Sequence, residues 1–225
     1  MDHKIEELEK YALEFNIPIM MKDGIEFMLD YIKNNNIYNI LEIGAAIGYS
    51  AISMCLLDKN IHVTTVERDE KRYLEALKNI KDFKLENQIT IYHMDAFDLE
   101  LTDTFDLIFI DAAKSQYINF FEKFDKNLKQ GGVIFSDNLN FHGLTHTTEK
   151  IESRNVRGIV RKLNNYIEYL KTNENYETIF YDIGDGISIS KKKAIWIIHI
   201  AFLTNNIIYI IITNQWKRGY YGLFK

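Results

Sequence analysis

Short apolar runs alternate with amphipathic segments along most of this chain of 225 residues. The apolar runs have strand length, and the amphipathic segments carry apolar residues at helical spacing. This alternation predicts an α/β fold with a mostly parallel sheet, because parallel neighbouring strands need a helical connection between them. The predicted parallel strands cover residues 39–43, 61–67, 88–93, 105–111 and 133–136.

Helices are predicted around these strands, and a hairpin is predicted after them. The turn Gly184-Asp185-Gly186 separates two strand-like runs, residues 176–181 and 187–191, which indicates an antiparallel hairpin at one edge of the sheet. We therefore expect a seven-stranded, mostly parallel sheet with one antiparallel edge hairpin strand and helices on both faces. The predicted helices cover residues 5–15, 22–34, 49–57, 69–83, 116–127 and 147–172.

The composition is that of a globular protein with a buried core. Hydrophobic residues make up 47% of the chain and charged residues 26%, which are ordinary values. A single cysteine, Cys55, can build neither an internal disulfide nor a thiolate zinc site, so we expect a buried structural thiol. Without a disulfide framework or a signal peptide at residues 1–10, the expected compartment is the cytoplasm. The net charge of −5 gives no general preference for nucleic acid, although a local basic patch could bind it.

All five predicted parallel strands present polar groups at or just after their carboxyl ends. In an open α/β sheet these ends meet along one edge, and ligands bind there. Chance could place one or two acids at such positions, but a full set indicates a ligand site. The set consists of Glu42, Glu67, Asp95, Asp111 and the pair Asp137-Asn138.

The first of these strands runs into a glycine loop, Gly44-Ala-Ala-Ile-Gly48. Such a loop lets the backbone approach a ligand at a helix N-terminus, although a tight turn alone would also use glycine. Glu67, at the end of the second strand, can accept hydrogen bonds from ribose hydroxyls. Ribose recognition suits S-adenosylmethionine, NAD or FAD. The loop lacks the three-glycine fingerprint that cradles a diphosphate, which favours S-adenosylmethionine.

A metal site is predicted where the fourth and fifth strands end. These strands should be neighbours, so Asp111, Asp137 and Asn138 would lie within roughly 5 Å of each other. Their hard oxygen ligands suit Mg²⁺ or another divalent cation. The alternative is that Asp137-Asn138 only begins a loop. Lys114 could reach the same site and act on a hydroxyl proton or an oxyanion, or it could be a solvated loop lysine.

Several segments together resemble the catechol and caffeoyl-CoA O-methyltransferase family. They are residues 41–50 (Leu-Glu-Ile-Gly-Ala-Ala-Ile-Gly-Tyr-Ser), Val66-Glu67, residues 109–114 (Phe-Ile-Asp-Ala-Ala-Lys), residues 131–138 (Gly-Gly-Val-Ile-Phe-Ser-Asp-Asn) and the closing strand, residues 184–190. The resemblance runs from about Ile17 to Lys192. It implies a Rossmann-like class I methyltransferase fold, with residues 1–192 forming one domain that includes a helical N-terminal segment, 1–36. It also implies a homodimer.

The resemblance implies a role for each predicted site residue. Asp111, Asp137 and Asn138 match the magnesium ligands, and Lys114, with Asp111, matches the catalytic positions. His93-Met94-Asp95 departs from the family, in which many members have glycine before the acid. The positions that match contacts to S-adenosylmethionine are Met20, Glu42, Gly44, Ser50, Glu67, Asp95, Ala96 and Asp111.

Within the family, the chain is most similar to the bacterial branch that methylates 5-hydroxyuridine at the tRNA wobble position to give 5-methoxyuridine. The similarity lies in a basic segment in which Arg154, Arg157 and Arg161 fall on one predicted helical face, with Lys162 beside them. This face predicts a phosphate-binding stripe for RNA. The alternative is an ordinary solvated face.

Two other functions compete with the tRNA methyltransferase hypothesis. One is a small-molecule O-methyltransferase of the catechol or caffeoyl-CoA type, acting on a phenolic substrate. The other is a non-catalytic module that binds S-adenosylmethionine or RNA. For an RNA substrate, Phe141, His142 and Tyr117 flank the metal motifs and could stack on an unstacked base.

Residues 193–225 form a hydrophobic extension beyond the family resemblance. Its apolar part, residues 194–213, is about 20 residues long, enough to span a bilayer. Asn205 and Asn206 in the middle of this stretch disfavour a span. Three interpretations remain open: a tail that packs on the fold or on a partner chain, a membrane-associated tail, and an extension produced by a frameshift.

Overall fold

The computed structural model describes residues 3–147, 150–194, 196–203 and 207–214. Six α-helices are present among these residues: α1 (His3–Glu14), α2 (Lys22–Asn34), α3 (Tyr49–Cys55), α4 (Glu70–Asp82), α5 (Tyr117–Phe124) and α6 (Arg154–Thr172). The strands are β1 (Asn39–Ile43), β2 (His62–Glu67), β3 (Ile89–His93), β4 (Phe105–Ile110), β5 (Leu128–Ser136), β6 (Tyr176–Tyr181), β7 (Ile187–Lys192), β8 (Trp196–Leu203) and β9 (Ile207–Asn214).

The main sheet has seven strands in the order β3-β2-β1-β4-β5-β7-β6. The pairs from β3 to β5 are parallel. β7 is antiparallel to both of its neighbours, β5 and β6. The predicted α/β fold is confirmed, with the antiparallel strand second from the edge. Strand order reverses between β1 and β4, so the carboxyl ends of these two strands border the crevice in which such sheets bind ligands.

The side chains of the central strands alternate between two buried layers. Ile40 and Phe109 belong to the layer covered by α1 to α4, whereas Leu41 and Ile110 belong to the layer covered by α5 and α6. This alternation is the period of two that a strand imposes. Because both faces are covered, β1 and β4 are mostly apolar, and their polar residues, Asn39, Glu42 and Asp106, lie at or next to the strand ends. Cys55 is buried, as predicted.

Three predicted elements differ in extent from the structure. The helix predicted from residue 147 begins at Arg154, after Ser153 caps it by accepting a hydrogen bond from Val156 N at 3.4 Å. The helix predicted over residues 116–127 is α5 with a 3₁₀ turn at each end. The strand predicted over residues 133–136 is β5, which already begins at Leu128, so the Gly131-Gly132 pair lies inside the strand near an irregularity in its pairing with β4.

Beyond the main sheet, β8 and β9 form an antiparallel two-stranded sheet of their own. Among the described residues, no helix is long and apolar enough to cross a membrane. The interpretations of the tail as a packing segment, a membrane-associated segment or a frameshift product stay predictions.

The glycine loop after β1 is pressed against the end of β4. A Cβ atom at Gly44 would lie 2.3 Å from the carbonyl oxygen of Asp111. Gly44 also has φ +104°, a conformation that side chains rarely adopt. Gly44 N and Ala45 N both donate to Val66 O at 3.1 Å, which ties the loop to β2 as well. A glycine is therefore required at this position by both close approach and backbone conformation.

We predict that Gly44→Ala destabilises the protein more than Gly131→Ala does. Gly131 also has a positive φ, but a Cβ there would meet nothing within 4 Å. The control should therefore cost only about 1–2 kcal/mol of backbone strain. The clash at Gly44 should add about 1–3 kcal/mol. Urea unfolding of both variants measures the difference. Equal free energies of unfolding would contradict the conclusion that a side chain at position 44 clashes with the carbonyl oxygen of Asp111.

Candidate active site

A cavity of about 890 Å³ opens at the carboxyl ends of β1, β2 and β4. One side is formed by residues 18–21, which precede α2, and the other by residues that follow β4 and β5. Most of the predicted S-adenosylmethionine positions lie on it: Met20, Gly44, Ser50, Glu67, Asp95, Ala96 and Asp111. Lys114 and Asn138 also line it, so the two predicted halves of the site share one space.

Glu42 is the predicted cofactor position that the cavity does not reach. Its side chain is fully buried behind Ser50, whose hydroxyl donates to Oε1, and Thr65 Oγ1 donates to Oε2 at 2.5 Å. Burial raises the pKa of Glu42 to about 7, against the lowering effect of these two hydrogen bonds. Glu42 therefore acts through Ser50, by orienting the hydroxyl at the cavity wall.

Glu67 joins the glycine loop to the end of β2. Its Oε2 accepts a hydrogen bond from Ala46 N at 2.9 Å, and its Oε1 accepts one from Asp69 N at 2.8 Å. Ala46 has φ +46°, so this contact also holds a strained loop residue. A carboxylate has about four acceptor positions, so the two oxygens can still accept hydrogen bonds from ribose hydroxyls.

Around the predicted Asp95, the cavity wall includes three residues that the sequence did not reveal: Arg68, Phe97 and Phe120. Arg68 Nη1 lies 3.6 Å from Asp95 Oδ2, and Phe97 stacks on Phe120 with ring centroids 4.8 Å apart. All four residues line the cavity. Met94, which stands where many members of the family have glycine, lines the cavity, and the neighbouring His93 stacks on Tyr73 with ring centroids 4.7 Å apart.

Asp111, Asp137, Asn138 and Lys114 form what we call the acidic cluster. Parallel pairing of Ile110 with Ser136 brings the two strand ends together, as predicted. Asn138 Oδ1 accepts a hydrogen bond from Lys114 Nζ at 2.6 Å, and Asn138 Nδ2 donates to Asp137 Oδ2 at 3.2 Å. Asp137 is 1% exposed and lies just behind the cavity lining.

The electrostatics of the acidic cluster favour a cation. Burial raises the pKa of both Asp111 and Asp137, and for Asp137 the charge of Asp111 raises it further. Asp137 Oδ1 is a buried oxygen without a hydrogen-bond partner in the described part of the chain. Two carboxylates and an amide oxygen are a donor set that Mg²⁺ accepts. A divalent ion would compete with Lys114 for the amide oxygen of Asn138.

The donor set depends on that amide. No group of three or more His, Cys, Asp or Glu residues that could hold a metal ion occurs within the described ranges. Asn138 Oδ1 would therefore be the third protein oxygen of the predicted donor set, beside Asp111 and Asp137. Its backbone has φ +62°, a left-handed conformation that asparagine tolerates better than most residues.

Asp185 is a buried acid of the cavity that sequence reasoning missed. It lies in the turn between β6 and β7, is 6% exposed and lines the cavity. The glycines on both sides had indicated only a turn. A possible signal was an acid inside a turn directed toward the carboxyl edge of the sheet.

The three aromatic candidates for stacking divide into two groups. Phe141 and His142 line the cavity beside Asn138. Tyr117 does not, because it is buried edge-on against Tyr166 and its hydroxyl donates to Asp137 O at 3.1 Å. Tyr117 therefore supports the end of β5 and is not available to a base.

A second, basic cavity of about 730 Å³ runs along α6. Arg154, Arg157 and Arg161 line it around Gly158, whereas Lys162 does not. All three arginines are exposed, but Arg157 Nη1 donates to two backbone oxygens, Ile151 O at 2.6 Å and Glu152 O at 2.7 Å. The predicted arginine face is present, but the guanidinium group of Arg157 also hydrogen-bonds the backbone of the loop before α6.

Comparison with known proteins relates most of the chain to a single protein family. A family model called O-methyltransferase matches residues 2–193. The caffeoyl-CoA O-methyltransferase of Populus kitakamiensis is 26% identical over 196 residues, covering 82% of this chain and 82% of its own. The family model ends at residue 193, before β8 and β9.

Solved structures agree with this comparison. A Staphylococcus aureus protein, provisionally called a caffeoyl-CoA O-methyltransferase, is 38% identical with a TM-score of 0.82, covering 85% of this chain and 93% of that one. The O-methyltransferase of Bacillus cereus, solved in complex with SAH, is 25% identical with a TM-score of 0.73, covering 86% and 92%.

We predict that Glu42 makes stability depend on pH. Its pKa rises from 4.5 to about 7 on folding. The protonated side chain therefore favours the folded state below pH 4.5, and this contribution is lost as the pH rises through about 7. The free energy of unfolding should fall over this interval by up to about 3 kcal/mol more in the wild type than in Glu42→Gln. Asp111 and Asp137 remain in both proteins, so the difference isolates Glu42. Chemical denaturation measures both proteins across this pH range. If the free energies of unfolding of the wild type and Glu42→Gln changed with pH in parallel, the raised pKa of Glu42 would be contradicted.

Proposed function

This chain belongs to the O-methyltransferase family, and we propose that it methylates one hydroxyl of a small aromatic vicinal diol with the help of a divalent cation. S-adenosylmethionine supplies the methyl group. One observation carries the proposal: a single cavity is lined both by Gly44 and Glu67 and by Asp111, Lys114 and Asn138. The caffeoyl group named for the Populus relative is itself a ring with two adjacent hydroxyls.

Cofactor binding is assigned to the residues on the β1 and β2 side of the cavity. The bare backbone at Gly44 allows close approach, and the oxygens of Glu67 can accept hydrogen bonds from the ribose. Met20, buried to 4% exposure, provides an apolar contact from the segment before α2. The SAH in the Bacillus cereus relative is the product that remains when S-adenosylmethionine has lost its methyl group, which supports this assignment.

Acceptor binding is assigned to the acidic cluster. Asp111, Asp137 and Asn138 would hold Mg²⁺, which supplies positive charge that lowers the pKa of a nearby hydroxyl. Lys114 would donate a hydrogen bond from Nζ to the phenolate oxygen and so stabilise its charge. The hydroxyl proton would pass to solvent as the phenolate forms. The phenolate oxygen then attacks the methyl carbon, so that the oxygen–methyl bond forms while the sulfur–methyl bond breaks and its electron pair stays on the sulfur of SAH. Holding both reactants in one cavity lowers the entropic barrier.

Transfer to 5-hydroxyuridine in tRNA is the second candidate function. The 5-hydroxyl and 4-carbonyl of that base resemble the paired oxygens of a catechol. The observation in its favour is the arginine-lined cavity along α6. We rank it second because Arg157 already bonds two backbone oxygens and because the names of the Populus and Staphylococcus aureus relatives point to small phenolic acceptors.

We also propose the extent of the catalytic domain, the compartment and the oligomeric state. We expect the catalytic domain to be residues 1–192, the hydrophobic extension to be dispensable for methyl transfer, and the protein to be a cytoplasmic homodimer. Light scattering on the purified full chain tests the dimer.

We predict that methylation of catechol requires both Mg²⁺ and Asp137. Removal of the metal with EDTA, or the change Asp137→Ala, should lower turnover by about a thousandfold or more, because the charge that lowers the hydroxyl pKa is lost. Asp103→Ala, at an exposed aspartate away from the cavity, is the matched control. The assay follows labelled methyl from S-adenosylmethionine into catechol, and full activity in EDTA would contradict the metal.

A charge-reversal experiment separates the two candidate functions. We predict that Arg154→Glu combined with Arg161→Glu leaves catechol turnover within about twofold, because these are exposed rim charges. Lys171→Glu, near the other end of α6, is the control. Both variants are also given bulk tRNA that lacks methoxyuridine. Label that enters tRNA with the wild type and the control, but not with the double variant, would move the function to the second candidate.

A further inference from the structure

We infer that Asp185 is a positioning residue: from the turn between β6 and β7, its buried carboxylate holds residues 140–146, here called the acceptor loop, against the acidic cluster. The inference rests on the proposed function, because the acceptor loop borders the space assigned to the phenol. Asp185, Phe141, His142 and Asn138 all line that part of the cavity.

The carboxylate of Asp185 makes a direct contact to the acceptor loop. Its Oδ1 accepts a hydrogen bond from His142 N at 2.5 Å. Its Oδ2 is buried without a hydrogen-bond partner in the described chain, and His142 Nδ1 lies 3.8 Å away. Burying a carboxylate costs free energy unless hydrogen bonds or a paired cation compensate for the lost hydration. The contact that it makes here fixes the backbone of a cavity residue.

The acceptor loop needs such a restraint because of its backbone. Phe141 has φ +44° and His142 has φ +56°. Two consecutive residues with side chains in the left-handed region are disfavoured, and they persist only when surrounding contacts hold them. The hydrogen bond from His142 N to Asp185 acts on the second of these residues.

The backbone of the same turn reinforces the contact. Asn140 N donates to Asp185 O at 2.7 Å, and Leu139 N donates to Gly186 O at 2.9 Å. A Cβ at Gly186 would lie 2.6 Å from a side-chain atom of Asn140, so the turn and the loop are in close contact. The start of the acceptor loop is therefore fixed by the turn before the chain reaches Phe141.

The turn also contacts the cofactor side of the cavity, through a different residue. Gly184 N donates to Asp23 Oδ2 at 3.0 Å, at the start of α2. Because the turn reaches α2 through Gly184 and His142 through Asp185, a change at Asp185 should loosen the acceptor loop and leave the cofactor side in place. That separation distinguishes positioning of the acceptor from general structural support.

The test compares Asp185→Ala with Asp185→Asn and with Asp182→Asn. Asn at position 185 keeps an oxygen that can accept from His142 N, whereas Ala does not. Asp182 is the matched control: it lies in the same turn, is exposed, and accepts from Asn140 Nδ2 at 3.0 Å. Three readouts are taken on the full chain: deuterium uptake of peptides covering residues 139–146, the KM for catechol with Mg²⁺, and the affinity for SAH.

For Asp185→Ala we expect faster deuterium uptake in the acceptor loop and a KM for catechol raised about tenfold or more, as expected for loss of a hydrogen bond to a charged group. SAH affinity should stay within about twofold, and Asp185→Asn should recover most of the KM. Asp182→Asn should resemble the wild type in all three readouts.

Three outcomes would overturn the inference. They are unchanged uptake and KM in Asp185→Ala, an equal loss of SAH affinity and of acceptor KM, and an Asn variant as defective as the Ala variant. If the wild type turns over no catechol, the proposed function fails, and the deuterium uptake still decides whether Asp185 holds the loop.

Discussion

The close contact between the loop after β1 and the end of β4 organises the active-site cavity. Gly44 has no side chain, so its Cα can lie against the carbonyl group of Asp111, which follows β4. The same contact brings the glycine loop beside the first acid of the acidic cluster. A bulkier residue at Gly44 would separate the two halves of the site. Parallel pairing of β1 with β4 and of β4 with β5 then fixes the positions of Asp111, Asp137 and Asn138.

The acidic side chains at this cavity differ in how their negative charge is stabilised. Glu67 satisfies its carboxylate with two backbone amides from the loops around it. For Asp137, Oδ2 accepts a hydrogen bond from Asn138 Nδ2 at 3.2 Å, but the buried Oδ1 has no partner among the described residues. Burial raises the pKa of both Asp111 and Asp137. A pair of this kind is stable as anions only beside a cation. This difference supports the proposal that Glu67 binds ribose hydroxyls and that Asp111 and Asp137 bind a metal ion.

The sequence predicted the features that follow from local pattern and strand order. Apolar runs of strand length located β1 to β5, and an acid at or just after the carboxyl end of each strand marked one edge of the sheet. Those two observations were enough to predict that Asp111 meets Asp137, and the family resemblance built on the same motifs is confirmed by the match over residues 2–193. The individual roles of the site residues stay predictions.

Features that depend on tertiary contact could not be predicted from the sequence. Asp185 looked like an ordinary turn residue, because only the folded chain brings its carboxylate to His142 N. The helical spacing of the arginines was correct, but it could not show that Arg157 bonds Ile151 O and Glu152 O. Tyr117 flanks the metal motif in sequence and yet is buried beneath it.

The central claim is that one cavity binds a divalent ion and the acceptor hydroxyl together. The most direct measurement is electron paramagnetic resonance of the full chain titrated with Mn²⁺, a substitute that accepts the same oxygen ligands. We expect one bound ion per chain and a spectrum that changes when catechol is added in the presence of SAH. Absence of a bound ion, or a spectrum that catechol leaves unchanged, would contradict it.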